Sequence, residues 1–197
     1  MHAPLLLALL LGVAPATAPA ARTVEADFAE MTSRICYPIV TGERPFTHTD
    51  LASEMAAIAA LDLTYGIPPG VIDTLPHTAQ TAVSRATLAS RTNGNYQSLF
   101  ALGGAVPGCK VLLTGPADAA LTERIAAPFG SREGGWTRRP GLDRRSGAVE
   151  RRSFVRRDSK GGDYLLDLLI VHSPEAGLRL LAMVAPLPPS LPVAPSP

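Results

Sequence analysis

The residues with the clearest chemical potential are basic and lie close together in the second half of the chain. Ten of the 18 lysine and arginine residues fall within residues 131–160, against four acidic residues in the same segment. A guanidinium group forms paired hydrogen bonds with carboxylate and phosphate oxygens, so a cluster of arginines predicts an anion-binding surface. The candidate residues for this surface are Arg138, Arg139, Arg144, Arg145, Arg151, Arg152, Arg156, Arg157 and Lys160.

Eight of these candidates form four Arg-Arg pairs. Neighbouring side chains of a β-strand point to opposite faces, so only one arginine of each strand pair can join one patch. The alternative is that the arginines cover a solvated face and pair with carboxylates from the rest of the chain, where 13 acidic residues outnumber eight basic ones. Arginine also outnumbers lysine 16 to 2, a bias typical of GC-rich genomes, which favours this alternative and a bacterial source.

The predicted partner of the basic segment is an anionic component of the cell envelope. Candidates are the phosphates of lipopolysaccharide, anionic phospholipid, peptidoglycan or an acidic protein. Nucleic acid is a poor candidate, because Trp136 and Phe154 are the only aromatic residues near the arginines and single-stranded nucleic acid requires stacking platforms.

Histidines offer a second kind of chemistry. His172 ends an apolar stretch and His48 stands at a predicted helix start. A histidine within hydrogen-bond reach of a carboxylate can act as a general base, so one alternative function is a small secreted hydrolase that uses His172 or His48. The sequence contains no G-x-S-x-G, H-E-x-x-H, S-x-x-K or G-x-x-x-x-G-K-[ST] motif. We therefore predict no catalytic residue, metal or cofactor and favour a non-enzymatic binding module.

A third alternative is a structural or inhibitor-like module. Residues 164–173 are apolar on both faces apart from Asp167, so each face of this strand must be covered by something. A second copy of the chain is one candidate, which makes a homodimer one of the expected partners. Asp167 itself is expected to occupy a half-exposed polar position or to pair with an arginine of the preceding strand.

The N-terminal 20 residues predict export. Leu5 to Val13 is an apolar run too short to span a bilayer, and Ala18-Pro19-Ala20 is an A-x-A cleavage site. No later segment has 18 uninterrupted apolar residues, so the mature chain is predicted to be soluble and periplasmic or secreted. Because an exported chain meets an oxidising compartment, Cys36 and Cys109 are predicted to form one disulfide.

The elements that must position these residues follow from the hydrophobic periodicity. Helices are predicted at 22–36 and 50–62, the second with a stripe of Leu51, Met55, Ile58 and Leu61 and either Asp50 or Thr49 as its cap. A third helix is predicted to open at Gly115-Pro116, with Pro116 at its first position. Strands are predicted at 82–91, 96–102, 109–113, 149–157, 164–173 and 178–185, the first two forming a hairpin at Asn93-Gly94. Residues 82–88 alternate poorly, so a short helix there is the alternative.

Neighbouring strands joined by short turns favour an α+β fold. We predict an antiparallel sheet of about five or six strands, with two or three helices packed on one face and one disulfide. The domain is expected to comprise residues 21–185, preceded by the signal peptide at residues 1–20. Residues 186–197 hold six prolines and are expected to form a disordered tail.

The predicted cleavage site can be tested directly. Expression with export and N-terminal sequencing of the secreted protein should give Ala21 as the first residue. Recovery of a chain that still begins at Met1 would contradict the export prediction.

Overall fold

The computed structural model describes residues 22–46, 49–105, 107–131, 135–175 and 177–189. The predicted signal peptide, His48 and the last eight residues of the proline-rich tail lie outside these ranges. No helix of the described ranges is both long and apolar enough to cross a membrane.

The first helix is longer than the sequence predicted. It begins with α1 (Val24–Glu30), continues through a π-helical turn (Met31–Cys36) and ends with α2 (Tyr37–Val40). Pro38 was expected to end the helix, but the helix continues through it. Pro38 lies where the π-helical turn passes into α2, and the Thr41 N–H beyond it donates to the Tyr37 carbonyl at 3.0 Å. At the start, the Thr23 hydroxyl accepts a hydrogen bond from the Ala26 N–H at 3.2 Å, so the helix is capped.

The remaining helices are α3 (Leu51–Ala59), α4 (His77–Val83) and α5 (Ala119–Ala126). Of the two predicted capping residues, Asp50 caps α3 and accepts a hydrogen bond from the Ser53 N–H at 2.8 Å. The predicted buried stripe of α3 is only partly correct, because Ile58 is buried whereas Leu51 and Met55 are 60% and 48% exposed. Residues 77–81 were not expected to be helical, and the short helix considered at 82–88 overlaps α4 only at Ala82 and Val83. The third helix begins later than predicted, because Asp118 caps it and accepts a hydrogen bond from the Leu121 N–H at 2.9 Å.

A single antiparallel sheet organises the described residues. Its nine strands are β1 (Thr64–Tyr65), β2 (Ala86–Asn93), β3 (Tyr96–Gly103), β4 (Cys109–Thr114), β5 (Thr137–Arg138), β6 (Arg144–Ser146), β7 (Val149–Arg157), β8 (Asp163–Val171) and β9 (Leu178–Pro186). The order across the sheet is β1-β2-β3-β4-β9-β8-β7-β5, and β6 pairs with the same edge of β7 as β5.

The α+β class and the antiparallel sheet are confirmed, but two numbers in the prediction are wrong. The sheet has nine strands rather than five or six, because β1, β5 and β6 are only two or three residues long and too short to show a period in the sequence. If α1, the π-helical turn and α2 count as one, the described residues contain four helices rather than two or three.

The predicted hairpin is confirmed with its turn one residue later than expected. Asn93 pairs with Tyr96, so Gly94 and Asn95 form the two-residue loop. Gly94 has a φ of 58°, which glycine adopts without steric cost at the first position of a type II′ turn.

Helices cover both faces of the sheet rather than one. On the face that we call the α1 face, Phe28 and Ile125 of the helices pack against strand residues such as Phe100, Val111 and Leu166. On the opposite face, which we call the α4 face, Ala79 and Val83 pack against Leu99, Leu112 and Leu181. All six residues of β4 are buried, because this strand lies beneath both layers.

The predicted disulfide between Cys36 and Cys109 is confirmed. It links the end of the π-helical turn to the first residue of β4, across a sequence separation of 73 residues. A second link joins α1 to the hairpin, where Asp27, which is 1% exposed, accepts hydrogen bonds from Arg91 and Asn93, each at 3.1 Å.

Removal of the disulfide should destabilise the fold strongly. A crosslink across a loop of this length contributes about 4 kcal/mol by restricting the unfolded chain. The Cys36→Ala/Cys109→Ala variant is therefore expected to unfold at a markedly lower urea concentration than the oxidised wild type. Wild type treated with a reductant is the control and should resemble the variant. Identical unfolding midpoints for the oxidised protein and the variant would contradict this role.

Candidate functional site

The predicted anion-binding residues lie along one edge of the sheet, and we call residues 137–160 the basic edge. Both β5 and β6 pair with the outer side of β7, which places Arg138 opposite Phe154, Arg145 opposite Glu150 and Arg144 opposite Arg151. The arginine pairs of β7 divide between the two faces, as the strand period predicted. Arg152 and Arg156 lie on the α1 face, whereas Arg151 and Arg157 lie on the α4 face.

On the α1 face, Arg152 is the centre of an ion-pair network. Its guanidinium group donates hydrogen bonds to both carboxylate oxygens of Glu123, at 2.7 and 2.9 Å, and to Glu150 at 2.5 Å. These hydrogen bonds from Arg152 hold the pKa of both glutamates below its ordinary value. The Arg156 guanidinium carbon lies 4.1 Å from the centre of the Tyr37 ring, a cation–π contact with α2.

On the α4 face, Arg151 forms a bidentate pair with Asp167 through Nε at 2.9 Å and Nη2 at 2.6 Å. The Ser153 hydroxyl also donates to Asp167, at 2.7 Å, and only 8% of the Asp167 side chain is exposed. The predicted pairing of Asp167 with an arginine of the preceding strand is thus confirmed. Arg157 pairs in the same bidentate way with Asp163 and lowers the pKa of that carboxyl.

The outer strand β6 and the turn after β7 carry the least compensated basic residues. Arg138 donates two hydrogen bonds to Asp143, and Arg144 donates to the main-chain carbonyls of Gly141 and Asp143. The backbone N–H of Arg139 anchors the segment to β7 through the carbonyl of Ser153 at 2.7 Å. Within the described ranges, no carboxylate lies at ion-pair distance from Arg144, Arg145 or Lys160.

The candidate histidine contacts a carboxylate but no nucleophile. His172 Nε2 lies 3.1 Å from Glu150 Oε2, so Glu150 bridges His172 and Arg152. Among the described residues, no hydroxyl or thiol group forms a hydrogen bond with the His172 ring, and both cysteines are in the disulfide. His48 lies outside the described residues. The hydrolase alternative stays a prediction.

The α4 face also contains a groove that was not predicted from the sequence. It has a volume of about 390 Å³ and lies between α4 and the strands β7, β8 and β9. Its lining consists of Pro76, Thr78, Ala79, Ala82, Val149, Arg151, Asp167, Leu169, Val171, Leu178, Leu181 and Met183. The signal in the sequence was the apolar character of both faces of β8, one of which α4 only partly covers.

The ion-pair network of Arg152 predicts a pH-dependent contribution to stability. Because the folded-state pKa values of Glu123 and Glu150 are lowered, the contribution is present above the ordinary glutamate pKa of about 4.3 and is lost as the pH falls through the folded values. Arg152→Gln should cost about 1 kcal/mol at neutral pH, a modest value because Glu123 is partly solvated. In urea unfolding, the difference from wild type should shrink below about pH 4.

The control for this experiment is Arg44→Gln, which removes the same charge from an exposed residue outside the basic edge. It should unfold like the wild type at every pH. A deficit of Arg152→Gln that is unchanged between neutral and acidic pH would show that the ion pairs are not its source.

Neither a metal nor a relative points to a function. No group of three or more His, Cys, Asp or Glu side chains in the described ranges could hold a metal ion. The chain matches no protein-family model, no curated protein and no solved structure. The basic edge and the groove beside it are therefore the features from which a function must be argued.

Proposed function

We propose that the protein is an exported, non-enzymatic binding module whose basic edge contacts phosphate groups of an anionic envelope lipid. The observation that carries this proposal is the exposure of Arg144 and Arg145 on β6, where no described carboxylate lies at ion-pair distance from either side chain. The two side chains point to opposite faces of β6, Arg144 to the α4 face and Arg145 to the α1 face. Each places a guanidinium group without a described carboxylate partner at the margin of the sheet, where phosphate oxygens can accept its hydrogen bonds.

The charge balance of the basic edge supports the proposal. Nine basic side chains are accompanied by six carboxylates that lie within the basic edge or pair with it, which leaves an excess of three positive charges. The six are Glu123, Asp143, Glu150, Asp158, Asp163 and Asp167. Arg144 and Arg145 of β6 belong to this excess, whereas Arg138 of β5 and the arginines of β7 form most of the internal ion pairs.

The internal pairs also decide which residues can test the proposal. Arg151 and Arg152 hold partly buried carboxylates, so their substitution would disturb the fold as well as any ligand. Arg144 and Arg145 have no such partner among the described residues, so the Arg144→Gln/Arg145→Gln variant should fold normally.

Vesicle binding provides the test. The wild type should bind vesicles that contain phosphatidylglycerol, should not bind vesicles of phosphatidylcholine alone, and should dissociate as salt is added. Each basic residue near an anionic surface contributes about 1 kcal/mol, so Arg144→Gln/Arg145→Gln should lower the affinity at least tenfold. A parallel measurement with purified lipopolysaccharide distinguishes the two sources of lipid phosphate.

The matched control is Arg44→Gln/Arg85→Gln, which removes the same net charge from exposed residues outside the basic edge. It should retain nearly all of the binding. If both double variants lose affinity equally, the attraction depends on net charge and not on this surface. If the wild type binds neither lipid, the proposal fails and an acidic protein becomes the partner to seek.

A further inference from the structure

We propose that the groove on the α4 face holds the hydrocarbon chain of a single-chain anionic amphiphile, with the charged end of the ligand at Arg144 and Arg151. This inference rests on the proposed function, because it names the class of lipid that the basic edge recognises. It adds a second, apolar site that the arginine pattern alone does not predict.

The walls of the groove suit a hydrocarbon chain. Leu169, Leu181 and Met183 form the floor, contributed by β8 and β9, while Ala79 and Ala82 of α4 form one wall. Its volume of about 390 Å³ lies within the usual range for small-molecule sites, roughly 300–1,000 Å³. Each methylene group of the ligand that is buried raises the affinity, so a chain of moderate length would bind measurably.

The polar end of the groove is built around Arg151. Two of its nitrogen atoms, Nε and Nη2, are occupied by Asp167, whereas Nη1 donates to no group of the described residues. Arg144 stands directly opposite Arg151 in the β6–β7 register, which puts both side chains on the same face and their Cβ atoms roughly 5 Å apart. Because Arg151 balances the charge of Asp167, the additional charge of Arg144 makes this end of the groove net positive.

The charge of this end also argues against a second copy of the chain as the occupant. A symmetric dimer formed through the groove would place the arginines of both copies within one interface. Like charges across a contact disfavour association, whereas a carboxylate or phosphate head group is attracted to the same residues. An anionic amphiphile therefore complements both the arginine end and the apolar walls of the groove.

The test uses sodium dodecanoate below its micelle concentration, with binding followed by isothermal titration calorimetry. We expect saturable binding of one dodecanoate, with octanoate at least tenfold weaker because it buries fewer methylene groups. Ala82→Trp fills the groove from α4 and should abolish binding. Ala56→Trp makes the same exchange at an exposed position of α3 and should bind like the wild type.

A second variant keeps the test decisive if Ala82→Trp does not fold. Thr78→Trp fills the groove from the same wall and should also abolish binding, so it replaces Ala82→Trp in the test if circular dichroism shows that Ala82→Trp does not fold. Arg144→Gln should weaken dodecanoate several-fold and leave the binding of neutral decyl glucoside unchanged. Wild type that binds no dodecanoate, or a folded Ala82→Trp protein that binds it normally, overturns the inference.

The outcomes separate this inference from the proposed function. If the groove variants lose dodecanoate but still bind phosphatidylglycerol vesicles through Arg144 and Arg145, both proposals stand as distinct sites. If dodecanoate does not bind while vesicle binding stays sensitive to Arg144→Gln/Arg145→Gln, the groove inference is wrong and the proposed function survives. If dodecanoate binds in the groove but vesicles do not bind, only the proposed function falls.

Discussion

The burial of β4 on both faces is the constraint on which the rest of the structure depends. A strand with all six residues buried needs an apolar layer above and below it, and the chain supplies α1, α2 and α5 on one face and α4 on the other. The disulfide fixes the first residue of β4 to the helical layer. Even Lys110 is buried there: its ammonium group donates to the Gly103 carbonyl at 2.7 Å, and burial lowers its pKa.

The helices cover less of the α4 face than of the α1 face, and this difference in coverage produces the groove. The α1 face is covered by three helical segments that reach from the β2–β3 hairpin to β8, whereas α4 has only seven residues and packs over β3, β4 and β9. The part of the α4 face formed by β7 and β8 is therefore left open beside an arginine-rich edge. An apolar surface next to positive charge is the arrangement expected of a site for an amphiphile.

The features that could be predicted from the sequence are those with a long run of periodic residues or a strong local signal. The long strands, the hairpin at Gly94, the disulfide and the capped helices belong to this class. The strands β1, β5 and β6 do not, because two or three residues cannot display an alternation. Helix α4 has too few apolar residues for a stripe, so its packing on Leu99 and Leu112 is decided by tertiary contacts. Among the ion pairs, Asp167 was predictable from strand adjacency, whereas Glu123 reaches Arg152 from a distant helix.

The short strands at the margins of the sheet bear on how copies of this protein behave beside one another. At one margin β1 pairs with only two residues of β2, and at the other β5 and β6 cover the outer side of β7 in two separate pieces. A neighbouring chain would find no long, regular row of main-chain donors and acceptors to extend. The short strands thus hinder edge-to-edge pairing of the sheet with a sheet of another copy, the contact from which fibrils grow. The arginines on β6 add mutual repulsion at the margin where such pairing would begin.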